Sequence, residues 1–178
     1  MKRKQIFLFC LVGAIFIGIF GALSHFFYEW SGENKIVGIF FPVNESTWEH
    51  LKLAVFPTIV YFAAGVFFVK NENYFVSFFV ALFTPMLLIP AVFYFYSAIV
   101  GEPILAVDIA TYFVSVAAAF VLCGLVLSRP PLAKAYRVAA VIGIAAIVVC
   151  YMTFTVFPPK NFLFRDSVTG LYGFGQKG

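Results

Sequence analysis

The chain holds two histidines, His25 and His50, and both stand close to carboxylates. His25 precedes Glu29 by four residues. His50 closes the stretch FPVNESTWEH, residues 41–50, which also carries Asn44, Glu45, Ser46 and Glu49. Imidazole nitrogen and carboxylate oxygen are the ligands of tetrahedral Zn²⁺ sites. Three protein ligands with an open fourth position leave a bound water that can attack a carbonyl or a phosphoryl group. A further carboxylate is Asp108, which begins a series with Thr111 and Ser115 at three- and four-residue spacing. On a helix those three share one face. An ionised carboxylate inside a membrane is costly and must face a cavity or a partner. His25, His50, Lys52 and Arg165 are the partners on offer. The candidate polar site is therefore His25, Glu29, Asn44, Glu45, Glu49, His50 and Asp108, and the candidate ligands of a divalent metal such as zinc are His25, His50 and Asp108. The same groups would also make a metal-free hydrogen-bonded network. The Glu-His pair of WEHLK does not extend to HExxH. Cys10, Cys123 and Cys150 lie in apolar runs without a CxxC pair and read as packing residues.

The elements that must carry these groups are apolar. The sequence is 63% hydrophobic with 25 Phe, and 11% is charged, against about 25% in soluble domains. This composition predicts an all-α integral membrane bundle of about five transmembrane helices, a single domain over 1–178, with the lipid bilayer as its principal partner. The spans expected are 6–27, 51–69, 74–97, 103–127 and 136–157, each near the 17–25 residues a bilayer requires. The basic start MKRKQIFLFC reads as a retained first helix rather than a signal peptide. The formal charge of +4 does not point to nucleic acid, because the basic residues fall in short loops and near the ends.

Lys and Arg counts set the expected orientation. With the N-terminus cytoplasmic, the inner side holds seven of them and the outer side five, among them Lys52. The tail from 158 is then extracellular, and its Phe and Leu residues predict that it folds back over the outer mouth. Seven of the eight acids and both histidines gather at that outer end.

Small residues predict how His25 enters the bundle. Ala14, Gly18 and Ala22 form a four-residue series along which another helix can approach closely, and His25 extends it. Ser46 and Glu49 have capping-box spacing at the start of the second span, which gives Glu49 a structural role. Trp48 is placed as an interfacial anchor.

HFFYEW, FPVNESTWEHLKLAVFP and FPPKNFLFRDSVTGLYG resemble the recurring blocks of an uncharacterised family of small multi-pass membrane proteins, found mainly in Gram-positive anaerobic bacteria, that carry a domain of unknown function. The NESTWEHLK block is its signature. The resemblance implies a bundle of about five helices and covers nearly the whole chain. His25, Tyr28, Asn44, Glu45, Trp48, Glu49, His50, Lys52, Pro57, Asp166 and Gly173 match its pattern. It implies no mechanism. The functional expectation is a cell-membrane scaffold or accessory subunit with an outer polar site and a membrane-protein partner. The alternatives are a metal-dependent intramembrane hydrolase and a small transporter component.

Overall fold

The computed structural model describes residues 1–177, and the long apolar runs are helices. Four of them are long and apolar enough to cross a membrane: α1 (Arg3–Ser24), α5 (Tyr74–Val100), α6 (Leu105–Leu127) and α7 (Lys134–Val156). A fifth long helix, α4 (Thr47–Gly65), carries Glu49, His50 and Lys52 in its first two turns and is less apolar. It starts before the apolar run at Leu51 because Ser46 caps it: the Ser46 hydroxyl accepts the Glu49 N–H at 3.3 Å. Two short helices, α2 (Phe27–Trp30) and α3 (Lys35–Phe40), fill the link between α1 and α4. The sequence pattern left that link without structure. Asn34 caps α3 by accepting the Ile36 N–H.

Helix α4 is central, packed by α1 on one side and α5 on another. Its first half, from Leu51 to Thr58, is buried on every face, whereas Val60, Ala63 and Ala64 beyond it are exposed. The enclosed half needs no lipid-compatible surface, which explains how it tolerates charge. By contrast α1, α5, α6 and α7 expose Phe, Leu, Ile and Val along much of their length.

Helix α1 buries the expected Gly18 and packs Ala14 on the core, but its closest approach is made by the adjacent row. Its buried face is Gly13, Ile17, Gly18, Gly21 and Ser24, while Ala22 is exposed. The working row is Gly13–Ile17–Gly21–His25, four residues apart. At Gly21 an added Cβ would collide with the Tyr112 hydroxyl and the Leu53 carbonyl. The Tyr112 hydroxyl lies there because it donates to the carbonyls of Ile17 at 2.7 Å and Leu53 at 3.2 Å. One side chain of α6 thus ties α1 to α4 a single turn below His25.

The far end of the bundle is closed by asparagines. The Asn73 side chain donates to the carbonyls of Val126, Arg129 and Pro130 and accepts the Leu132 N–H. Asn71 donates to the Leu127 carbonyl. These bonds satisfy carbonyls that the end of α6 leaves without helical partners. Arg137 pairs with Glu72 at the same end.

The tail after α7 is irregular, with isolated bridges joining Tyr172 to Arg165 and to Gln176. It packs on the link before α4. The Trp48 N–H donates to the Leu163 carbonyl, Asn44 donates to the Gly173 carbonyl, and Ser167 donates to the Glu45 carbonyl.

Candidate metal centre

The end of α1 and the start of α4 bring the two histidines together. His25 Nε2 and His50 Nε2 are 3.2 Å apart. The third member is Glu45, whose carboxylate oxygens lie 3.8 Å from His25 Nε2 and 3.4 Å from His50 Nε2. One ligand atom from each residue lies within 4.8 Å of the others. With Zn–N and Zn–O near 2.0–2.1 Å, the edge of a zinc tetrahedron is about 3.3 Å. The 3.2 Å between the two imidazole nitrogens is close to such an edge, and the two Glu45 oxygens, one facing each ring, lie at 3.4 and 3.8 Å.

Local hydrogen bonding prepares His50 for this role. Its Nδ1 lies 3.1 Å from the Ser46 carbonyl, which can only accept, so Nδ1 carries the proton. In the neutral ring Nε2 then presents a lone pair. A ligand imidazole held through its other nitrogen by a backbone carbonyl is the usual arrangement at metal sites. Burial holds the His25 imidazole below its ordinary value. His50 lowers it further and Glu45 opposes the shift. The ring is therefore neutral at pH 7, as a ligand must be. Both histidine side chains are about one-third exposed, at 34% and 32%, and Glu45 is 47% exposed. Solvent can reach a fourth coordination position.

Glu45 is aimed by its neighbours. Asn44 accepts the Ser46 N–H at 2.9 Å, an Asx-turn that fixes the chain on the far side of Glu45 from the link. Asp166 lies in the tail and bonds back to the link. Burial raises its carboxyl, but hydrogen bonds from the Thr169 hydroxyl and the N–H groups of Val168, Thr169 and Glu45 outweigh that and hold it below the usual range. Asp166 thus stays charged within the turn of the tail, where it accepts the Val168 N–H and the Thr169 hydroxyl.

The remaining expected residues lie elsewhere. Asp108 is not among the clustered ligands. Its carboxylate accepts the Tyr96 hydroxyl at 2.6 Å, and that hydroxyl accepts the Ile104 N–H at 2.9 Å. The α6 start lies beside the α5 end, so a tyrosine reaches Asp108 where a histidine does not. Glu29 is exposed on α2. Glu49 is 2% exposed and does not complete the capping box, since Asn44 has taken the Ser46 N–H. Glu49 instead accepts from Lys52 at 2.6 Å, from the Val43 N–H at 3.1 Å and from the Thr155 hydroxyl at 3.1 Å. Lys52 is wholly buried and also donates to the carbonyls of Gly38 and Phe41. Trp48 is not an interfacial anchor. It is 9% exposed and stacked on Tyr151 with centroids 4.3 Å apart, with Phe154 and Phe164 alongside. Its Nε1, pulled into the core by that stacking, has no hydrogen-bond partner.

Fold and site together define a multi-pass membrane protein of the all-α class with a His₂–carboxylate cluster at one end. The chain belongs to the family of unknown function DUF6512, whose match spans residues 1–174. Neither a curated protein nor a solved structure matches it.

Proposed function

We propose that this is a zinc-binding membrane protein whose His25–Glu45–His50 centre faces the cell exterior and activates water for hydrolysis. The observation that carries the reading is the convergence of two imidazole nitrogens and a carboxylate within 4.8 Å, one of the rings already oriented by the Ser46 carbonyl. Three ligands with a solvent-accessible fourth position are typical of catalytic rather than structural zinc. Transport is less well supported, because buried Ile17, Leu53, Val116 and Phe62 occupy the interior and are apolar.

The purified wild type is expected to hold about one zinc per chain, and the double variant His25→Ala, His50→Ala none. Glu45→Gln weakens binding, whereas Asp108→Asn leaves it unchanged. Metal-free wild type after growth in zinc-supplemented medium and purification without chelators would sink the reading. Zinc retained without hydrolysis of any ester or amide offered would make the centre a structural one beneath a docking surface. The pH dependence has a definite sign. A free histidine gains its proton near pH 6.5. His25 gains it lower, so protons displace zinc from His25 only as the pH falls below 6.5, through the depressed value. Zinc content measured after dialysis across that range gives the curve.

We place α4 as a fifth span, with the N-terminus cytoplasmic and the metal centre and tail outside. The Lys and Arg count supports this, with seven inside against five outside. A C-terminal tag should be cut by external protease on intact cells. A tag cut only after lysis would reverse the orientation or remove a span.

A further inference from the structure

Beside the metal cluster lies a second feature that the histidines do not use. A cavity of about 500 Å³ opens between α5, Glu45 and the tail. That volume is within the roughly 300–1,000 Å³ of small-molecule sites. We propose that it is a binding site for the phosphate headgroup of an anionic phospholipid, with Arg165 as the ion partner.

The chemistry of the walls carries the proposal. Arg165 lines the cavity and is exposed. Among the described residues it makes no ion pair, while Lys52 and Arg137 each do. Its guanidinium lies against Gly170, where a Cβ would come within 3.3 Å of it, and the φ of +73° at Gly170 gives the turn that shape. A guanidinium fork matches two phosphate oxygens at once. Thr47, Tyr94 and Ser167 line the same cavity, with the Ser167 hydroxyl donating to the Glu45 carbonyl. Thr47 and Tyr94 are 2.9 Å apart and the Tyr94 hydroxyl reaches the Phe162 carbonyl at 3.5 Å, so they give the wall its polarity while Arg165 is the donor to the ligand.

Two acids also line the cavity, so the site depends on the guanidinium fork and not on net charge. Asp166 turns its oxygens to the Val168 N–H and the Thr169 hydroxyl of its own turn. Glu45 turns its oxygens toward the histidine nitrogens, at 3.4 and 3.8 Å. The source of the phosphate follows from the other wall. Phe93 and Phe162 line it, and Phe162 is 72% exposed. Val92 and Phe95 continue an exposed apolar surface along α5. The cavity therefore has one polar wall and one that runs onto a membrane-facing helix, which fits a headgroup with acyl chains better than a free anion.

The test uses the full chain in zwitterionic detergent, both EDTA-treated and reloaded with zinc, titrated with phosphatidylglycerol and read by native mass spectrometry. Arg165→Ala should retain about tenfold less lipid, the scale of one lost charge-assisted bond. Arg165→Lys should fall between, and Lys160→Ala, an exposed control cation, should match wild type. Millimolar inorganic phosphate should not displace the lipid. Displacement by phosphate would overturn the lipid assignment in favour of a soluble phosphate ester. Equal retention by wild type and Arg165→Ala in both metal states would overturn the site. The readout is lipid mass and not zinc, so it stands or falls separately from the metal centre.

Discussion

Lys52→Met is expected to destabilise the protein by about 3–5 kcal/mol, the cost of leaving one member of a buried ion pair uncompensated. Glu49 would keep its charge at a 2% exposed position with only the Val43 N–H and the Thr155 hydroxyl for company. The carbonyls of Gly38 and Phe41 would lose a donor as well. A lowered thermal midpoint in detergent, with aggregation on mild heating, is the readout. The paired variant Glu49→Leu, Lys52→Met removes both charges and should recover most of the loss, since apolar replacements of buried pairs are often near neutral. It would still free the link at Val43, two residues before Glu45. Zinc affinity should therefore stay low after stability returns. A single variant as stable as wild type would show that the pair does not brace the bundle.

Gly21→Ala is expected to cost about 1–3 kcal/mol by overpacking and to lower zinc affinity about 10–100-fold, the scale seen when supports of metal ligands are altered. The substitution touches no ligand. The new methyl would meet the Tyr112 hydroxyl and the Leu53 carbonyl, and the latter is backbone that cannot rotate away. Helix α1 must then move off α4, taking His25 from His50. Ala22→Leu is the control, since Ala22 is exposed. It should change neither stability nor affinity. Competition with a zinc chelator measures both variants. Equal affinities for Gly21→Ala and wild type would mean that the interhelical approach does not set the ligand spacing.

Much of this arrangement was legible in the sequence where the signal was local. The Ser46 cap needed only spacing, and the apolar runs announced the long helices. The meeting of His25 and His50 followed from a small-residue face ending at one of them. That face was read as Ala14–Gly18–Ala22; Gly18 is buried and Ala14 packs on the core, but Ala22 is exposed and the closest approach falls on the neighbouring Gly13–Ile17–Gly21 row, a choice that only packing makes. The metal set was harder. Asp108 and Glu45 are both acids at the same end, and depth along a helix cannot distinguish them. The neighbour of α6 decides it: Tyr96 captures Asp108, and Glu45 remains for the histidines. Lys52 looked like a surface cation until α3 and the link folded over it. Trp48 looked amphipathic until the tail covered it.

The three candidate ligands fall within the first 50 residues, but the link bearing Glu45 is held by residues made more than a hundred positions later. Ser167 reaches the Glu45 carbonyl across 122 positions, and Asn44 reaches Gly173 across 129. During synthesis the ribosome therefore delivers the ligands first, then three more long helices, and only then the strap that fixes the link. The geometry of the centre is therefore completed only after α7 has been made. A chain stalled or clipped before residue 163 would carry every ligand and still lack the brace that sets their spacing.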